Sequence, residues 1–195
     1  ANLMERGIEP DDIFFDQKDI TKIDNRIDIK DTGFQISKKD AKSVDYLRKC
    51  FGDPKTCFIT LHGWLRIVPE NICEQYNIVN GHPGLITAYP QLKGKDPQVR
   101  AYEDNYGVIG SVVHKVTPEV DDGEVLTYTA IYRQNKDTLD DVFEKLDESR
   151  MYELLKWVCA TSDGQVFISD THPQRLEQQL HAINTPFQMI ELLPL

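Results

Sequence analysis

Apolar segments of strand type alternate with segments of helical periodicity in the first part of the chain. An apolar run at 13–15 predicts a strand, and the run Thr-Cys-Phe-Ile-Thr-Leu at 56–61 predicts a buried strand of the parallel type. Between them, Ser37 is predicted to begin a helix that reaches about Cys50 and ends at Gly52. The pattern therefore opens as strand, helix, strand.

The middle of the chain continues this alternation and then changes to antiparallel pairing. A short helix is predicted at 69–75, a strand at 78–80 and a helix at 96–105. The segments 111–116 and 124–132 alternate apolar and polar residues on either side of Asp-Asp-Gly, which predicts two antiparallel partners. The whole pattern predicts an α/β fold: a mostly parallel twisted sheet flanked by helices, with antiparallel hairpin additions.

The last part of the chain returns to helical periodicity. Thr138 is predicted to cap a helix that reaches about residue 160, and a short strand and a final helix follow. We expect one domain over 1–160 and a C-terminal strand and helix extension over 161–195 that packs on the same domain.

Composition excludes several classes of protein. Acidic residues outnumber basic ones by 32 to 22, and the net charge of −10 disfavours general nucleic-acid binding. No apolar run reaches the roughly 20 residues of a membrane helix, so no membrane partner is expected. The 4 cysteines form no C-x-x-C pair, which argues against a zinc ribbon or a disulfide framework and favours the cytoplasm.

Candidate chemistry lies at the end of the strand predicted at 78–80. Asn80 and His82 are two residues apart, so in an extended chain both side chains point to one side. Pro83 disfavours a helical conformation of His82. An amide and an imidazolium are suitable donors to the oxyanion of a tetrahedral intermediate. The alternatives are a turn asparagine and a buried structural histidine.

Three stretches that follow predicted strands resemble one family. They read His-Gly-Trp-Leu-Arg-Ile-Val-Pro at 62–69, Asn-Gly-His-Pro-Gly-Leu at 80–85, and His-Lys-Val-Thr-Pro-Glu-Val-Asp-Asp-Gly at 114–123. In this order they resemble the folate-dependent formyltransferases, whose signatures are N-x-H-P-S-L and then H-x-V-x-x-x-x-D-x-G. The resemblance covers about 55–135 and is nearest to the phosphoribosylglycinamide branch. Methionyl-tRNA and sugar-nucleotide formyltransferases share the same signatures.

The resemblance implies a one-carbon group transferase of purine biosynthesis that moves a formyl group to an amine. It implies Asn80, His82 and Asp121 as catalytic residues, with His114 and Pro83 in support. In the family pattern the aspartate is followed by one variable residue and then by glycine. Asp121 has this spacing to Gly123, whereas Asp122 is directly next to the glycine. A carboxylate beside the imidazole would orient it, hold it charged and assist proton transfer.

The resemblance also implies 10-formyltetrahydrofolate as the donor and a small-molecule amine as the acceptor. The donor pocket would be formed by two loops, comprising Leu65, Arg66, Ile67 and Val68 in one and Val116, Thr117, Glu119 and Val120 in the other. A metal site built from histidines at 62, 82 and 114 with Asp121 is the alternative. Those spacings match no compact metal motif, so no metal is expected.

The chain departs from the family pattern in three places. The family's first strand and glycine-rich loop are not found before Asn2, so we expect that the chain either starts after that unit or lacks it. A sheet without this strand would expose an edge or need a partner, such as the second copy of a homodimer, to cover it. Arg150 stands where the purine branch has a glutamate for its acceptor. Gly84 replaces the usual serine, which predicts a more flexible loop.

These departures leave the acceptor open. A 10-formyltetrahydrofolate hydrolase, a sugar-nucleotide N-formyltransferase and a non-catalytic folate-binding homologue therefore stay as alternatives. A tRNA substrate is the least favoured, given the net charge of −10.

Overall fold

The computed structural model describes residues 11–15 and 33–147, and it confirms the α/β class. The strands are β1 (Ile13–Phe15), β2 (Gly33–Gln35), β3 (Phe58–Leu61), β4 (Asn77–His82), β5 (Val108–Ile109), β6 (Val112–Lys115), β7 (Val125–Tyr128) and β8 (Ile131–Tyr132). The helices are α1 (Val44–Phe51), α2 (Glu70–Cys73), α3 (Pro97–Glu103) and α4, which runs from 139 to the last described residue, 147.

The main sheet has four strands in the order β3-β4-β6-β7. β3 and β4 are parallel, whereas β6 is antiparallel to both of its neighbours. Two smaller sheets pair β1 with β2 in parallel and β5 with β8 in antiparallel fashion. The predicted combination of parallel pairing and antiparallel additions therefore occurs. β4 lies between β3 and β6, and its residue Val79 is fully buried.

The helix expected from Ser37 is divided into two pieces. Ser37 is followed only by a turn of 3-10 helix at Asp40–Lys42, and its Oγ accepts the Asp40 N–H at 3.1 Å. Ser43 is extended, with φ −90° and ψ 111°, and its Oγ accepts the Tyr46 N–H to start α1. The single-helix prediction is therefore wrong at its start, because a second capping residue interrupts the helical backbone.

β3 is shorter and more exposed than predicted. It begins at Phe58, and the Phe58 side chain is 38 % exposed. Within the described residues β3 pairs only with β4, so one of its edges has no strand beside it. Among the described residues its side chains are exposed or half-buried, so β3 lacks the burial on both faces that its continuous apolar sequence indicated.

The two later helices begin where the pattern predicted. Pro97 is the first residue of α3 and Asp96 precedes it. Thr138 and Asp141 cap α4 reciprocally: the Thr138 N–H donates to Asp141 Oδ2 at 2.7 Å, and the Asp141 N–H donates to Thr138 Oγ1 at 3.2 Å. The expected course of α4 to residue 160, the extension over 161–195 and Arg150 lie outside the described residues.

Two apolar clusters pack against the main sheet. One joins α3, α4 and the segment before α3 to β6 through Leu92, Ala101, Val112, Val142 and Leu146. The other joins α1 and α2 to β4, with Leu47, Ile72 and Ile78 at its centre. The first cluster fixes the segment at 85–96 beside the end of β4. Among the described residues, no helix is long and apolar enough to cross a membrane.

Candidate active site

Strand pairing places three polar side chains on one face of the sheet. Asn80 and His82 are two residues apart in β4, and the register pairs Asn80 with His114 of β6. Side chains at such positions share a face. His82 is 4 % exposed and His114 is 2 % exposed, whereas Asn80 is half-buried. The three lie at the carboxyl end of β4, where ligands bind in α/β sheets.

Asp121 brings these side chains together. Its Oδ2 lies 3.2 Å from His82 Nδ1, and its Oδ1 lies 3.3 Å from His114 Nε2. The Asn80 amide donates to Oδ1 at 3.4 Å, and the backbone N–H of Gly94 donates to Oδ2 at 2.8 Å. The structure thus brings together all three residues predicted to be catalytic, with His114 beside them. Their catalytic roles stay a proposal.

Asp121 reaches the site by a path that the sequence did not indicate. Because β6 is antiparallel to β4, its carboxyl end lies at the opposite end of the sheet from His82. The loop at 116–123 turns back, and Gly123 packs so tightly that a Cβ there would lie 1.8 Å from the Lys115 carbonyl oxygen. Asp121 has a left-handed backbone with φ 50°, which an L-residue adopts at a cost of about 1–2 kcal/mol. Such strain is often found at functional sites.

The neighbouring Asp122 has a different environment. It is exposed and pairs with Lys93, while Lys95 pairs with Asp96 at 3.3 Å. The basic residues before α3 thus have acidic partners. The assignment of the family's aspartate to Asp121 agrees with the contacts that Asp121 makes.

Hydrogen-bond partners define the tautomers of both histidines. His82 Nε2 lies 2.9 Å from the carbonyl oxygen of Leu92, which can only accept, so Nε2 carries a proton. His114 Nδ1 lies 2.7 Å from the carbonyl oxygen of Lys115 and carries a proton for the same reason. His114 Nε2 lies 3.3 Å from the Asn80 amide nitrogen and 3.3 Å from Asp121 Oδ1.

The electrostatics favour an ionised carboxylate beside a neutral imidazole. Burial acts to raise the pKa of Asp121, but the hydrogen bond with His114, the charge on His82 and the Gly94 N–H outweigh it and lower the pKa. Burial lowers the pKa of His82, although Asp121 and the Leu92 carbonyl oppose it. Near neutral pH the Nδ1 lone pair of His82 therefore faces a carboxylate. An added proton would lie between these two atoms and turn the contact into a charge-assisted hydrogen bond.

Acid is expected to destabilise the fold through His82. A group with a lowered pKa in the folded state binds protons better when unfolded, so stability is lost as the pH falls. For His82 this loss begins near its ordinary pKa of 6.5, whereas for Asp121 it begins near 3.8. We expect the free energy of unfolding in urea to fall more between pH 7.5 and 5.5 for the wild type than for His82→Gln. Equal losses would contradict this.

Three of the residues predicted to bind the donor line a cavity among the described residues. Leu65 and Ile67 are 76 % and 53 % exposed, whereas Val68 is buried. A cavity of about 310 Å³ is lined by 115–119, by α2 and by the start of β4, and so includes Val116, Thr117 and Glu119 but none of Leu65–Val68. At about 3.3 Å per residue, the cavity's Ile78 lies about 13 Å along β4 from His82.

Gly84 has a role that the sequence reading missed. A Cβ at this position would lie 2.8 Å from His82 Nε2 and 3.0 Å from Pro97 Cβ. The glycine therefore makes room for the imidazole to reach the Leu92 carbonyl, and it does more than loosen the loop. Leu92 and Gly94 were also missed, because they act through backbone groups that no side-chain pattern reveals.

Gly84→Ala is expected to displace the imidazole of His82. The new methyl group cannot coexist with the ring in its present position, so the hydrogen bond to Leu92 should break. We expect a lower melting temperature and a reduced turnover number for formyl transfer. Gly107→Ala is a matched control, because a Cβ at Gly107 would meet no atom within 4 Å. Equal behaviour of the two variants would contradict this role of Gly84.

The alternative of a metal site finds no geometric support in the described part of the chain. His62 does not join the other histidines: its Nε2 lies 3.0 Å from Thr60 Oγ1. Among the described residues, no group of three or more histidine, cysteine, aspartate or glutamate side chains is arranged to hold a metal ion.

The described residues form an α/β fold in which the side chains of Asn80, His82 and His114 converge on Asp121 on one face of the main sheet. The chain belongs to the formyl transferase family, whose model matches residues 24–157. This confirms the family suggested by the Asn-His-Pro and Asp-x-Gly stretches. The structure of phosphoribosylglycinamide formyltransferase from Streptococcus pneumoniae aligns with a TM-score of 0.65 at 21 % identity, over 82 % of this chain and 91 % of that one.

Two of the curated relatives are named for different reactions of a formyl group, a transfer and a deformylation. Phosphoribosylglycinamide formyltransferase of Bacillus subtilis is 30 % identical over 90 residues, which is 45 % of this chain and 45 % of that protein. Formyltetrahydrofolate deformylase of Synechocystis is 28 % identical over 88 residues, which is 45 % of this chain and 30 % of that protein. Neither match identifies the group that would accept the formyl group in this protein.

A different kind of relative shares a shorter stretch. The DNA replication and repair protein RecF of Flavobacterium johnsoniae is 40 % identical over 53 residues, which is 27 % of this chain. The chain spans 15 % of the length of that protein, and less than half of the two formyl-group relatives named above.

Proposed function

We propose that this protein transfers the formyl group of 10-formyltetrahydrofolate to a small amine acceptor of the phosphoribosylglycinamide type. The observation that carries the proposal is the convergence of Asn80, His82 and His114 on Asp121 within 3.2–3.4 Å, in a chain of the formyl transferase family. The relative from Bacillus subtilis supports the choice of acceptor.

The reaction needs an oxyanion donor and a proton carrier. The amine lone pair attacks the formyl carbon, and the carbonyl oxygen becomes an oxyanion. Asn80 would stabilise this charge, because its amide protons are held by long contacts of 3.3 and 3.4 Å that an anion can replace. The intermediate then expels the folate nitrogen, which keeps the electrons of the broken C–N bond and takes up a proton.

His82 and Asp121 would carry the proton between the two nitrogens. His82 Nδ1 is unprotonated near neutral pH and lies 3.2 Å from Asp121 Oδ2, so the pair can accept one proton from the attacking amine and return it to the leaving nitrogen. His82 Nε2 already donates to Leu92, and the ring is nearly buried. The sequence predicted that His82 donates to the oxyanion. For Nε2 to do so, the His82 ring would have to break its hydrogen bond with the Leu92 carbonyl.

Donor binding is proposed for the two segments expected from the sequence. Leu65, Ile67 and Val120 expose apolar side chains, which suit the aromatic rings of a folate. The cavity of about 310 Å³ at Thr117 and Glu119 has the size of a small-molecule site. We also propose that the protein is located in the cytoplasm and does not bind nucleic acids in general. A homodimer would form over the edge of β3 that has no strand beside it among the described residues.

Hydrolysis of the same donor is the second candidate, and the similarity to the Synechocystis deformylase favours it. Water would replace the amine as the nucleophile, and the same three residues would stabilise the oxyanion and move the proton. Formate would then appear without any amine.

The test is to incubate the full chain with 10-formyltetrahydrofolate, with and without a pool of amines that includes glycinamide ribonucleotide and amino-sugar nucleotides. We expect tetrahydrofolate to form only with an acceptor present. Release of formate without an amine would establish the hydrolase instead. Bound folate without release in either mixture would overturn both activities and leave a folate-binding protein.

A further inference from the structure

Arg100 lies in α3, and its side chain reaches back over the segment that precedes the helix. Its guanidinium donates to the backbone carbonyls of Gln91, Leu92 and Lys93, with Nη2 3.2 Å from Leu92 O and 2.8 Å from Lys93 O. This direction is expected, because helical side chains point toward the N-terminus of their helix. One side chain thus binds three consecutive carbonyl groups.

The Leu92 carbonyl that Arg100 binds is also the acceptor of His82. Its oxygen accepts two hydrogen bonds, one from His82 Nε2–H at 2.9 Å and one from Arg100 Nη2–H at 3.2 Å. A carbonyl oxygen has two lone pairs, so it can accept both. The bond from His82 places the ring proton on Nε2 and leaves Nδ1 facing Asp121. A shift of this carbonyl would release the ring and remove the constraint on its tautomer.

The next peptide group bound by Arg100 contacts Asp121. A trans peptide is planar, so its C=O and N–H point in opposite directions. Because Arg100 binds the Lys93 carbonyl on one side, the Gly94 N–H is directed to the other side, where it donates to Asp121 Oδ2 at 2.8 Å. Gly94 has φ +83°, a conformation that favours glycine and lets the chain turn at this point.

We propose that Arg100 is a positioning residue of the active site. It holds two adjacent peptide groups, and through them it sets the orientation of the His82 ring and of the Asp121 carboxylate. The inference rests on the proposed function, since it assigns Arg100 a part in that reaction. Arg100 is not proposed to contact the substrate, so its loss should affect turnover more than binding.

The test compares Arg100→Met and Arg100→Lys in the full chain. Lysine keeps the charge, but its compact ammonium cannot reproduce the planar fork that spans several carbonyls. Arg133→Met is the matched control. Arg133 donates to the Tyr102 carbonyl of α3 at 3.3 Å, and its guanidinium lies 5.3 Å from the Tyr102 ring centre. The side-chain hydrogen bonds described for Arg133 go to Tyr102 and Asn105, not to 91–94.

The first readout is the imidazole N–H signal of His82 Nε2 in NMR, with the His114 Nδ1–H signal as an internal reference. Both protons are hydrogen-bonded to carbonyls, but only the acceptor of His82 is held by Arg100. We expect Arg100→Met to lose the His82 signal and keep that of His114, and Arg100→Lys to weaken it. Arg133→Met should keep both signals.

The second readout is the kinetics of formyl transfer. A misplacement of about 1 Å can cost about 100-fold in rate, so kcat of Arg100→Met should fall to about that extent while KM for the donor changes little. An unchanged His82 signal in both Arg100 variants would overturn the inference, as would a lost signal with unchanged kcat. If the wild type transfers no formyl group, the proposed function fails, while the NMR comparison still decides whether Arg100 positions His82.

Discussion

Asp121→Asn is expected to lower the rate of formyl transfer by about 100- to 10,000-fold, the range for loss of general acid–base assistance. Asparagine tolerates the left-handed backbone that residue 121 adopts, so the loop should keep its shape. It cannot carry the negative charge that holds an added proton on His82 Nδ1 at 3.2 Å. The measurement is kcat with donor and amine at saturation.

Asp122→Asn is the matched control for this variant. Asp122 is adjacent in sequence, but it is exposed and pairs with Lys93. We expect kcat of Asp122→Asn to equal that of the wild type, because exposed ion pairs contribute little. A comparable loss of activity in both variants would mean that the loop as a whole, and not the Asp121 carboxylate, is required.

Asn80→Ala is expected to lower kcat by about 100- to 1,000-fold, as the loss of one oxyanion donor does in other enzymes. Asn80 is half-buried on the face of the sheet. The two contacts of its amide, with His114 and Asp121, are long at 3.3 and 3.4 Å, so a substrate oxygen can replace them. The loss should appear in kcat and leave donor affinity nearly unchanged, since the oxyanion exists only beyond the ground state.

Asn71→Ala provides the control for Asn80→Ala. Asn71 is an exposed asparagine of α2 whose side chain does not line the cavity, so its truncation removes an amide that lies outside the proposed site. We expect wild-type kcat for this variant. An Asn80→Ala protein that binds the donor and retains wild-type kcat would remove Asn80 from the mechanism.

Local geometry explains which parts of the site were predictable. The period of two residues along a strand places Asn80 and His82 on one face from sequence alone. Asp121 could be assigned only through the family pattern, because nothing in its local sequence indicates that the loop returns to the face of β4. The return depends on Gly123, whose packing against Lys115 is a tertiary contact.

Backbone contacts explain what the sequence could not reveal. The Leu92 carbonyl and the Gly94 N–H contact His82 and Asp121, yet every residue has such groups and no pattern distinguishes these two. Gly84 was misread as a source of flexibility, because the position of the His82 ring was unknown. The sequence alone also could not predict that β6 runs antiparallel to β4, which depends on how the chain crosses over between 82 and 112.

The same limit applies to the first helix. Ser37 and Ser43 are both acceptable capping residues, and apolar periodicity continues across them. Only the extended backbone of Ser43 separates α1 from the preceding 3-10 turn. Ala41 and Leu47, on either side of the break, are nevertheless both buried, because the apolar face is continuous across it.

The central claim is that His82, held between Asp121 and the Leu92 carbonyl, takes part in acceptor-dependent formyl transfer. The most direct measurement follows tetrahydrofolate formation from 10-formyltetrahydrofolate by the wild type and by His82→Ala, each with and without the amine pool. We predict release that depends on the acceptor in the wild type and is lost in His82→Ala, while both proteins bind the donor. Equal acceptor-dependent release by the two proteins would contradict the claim.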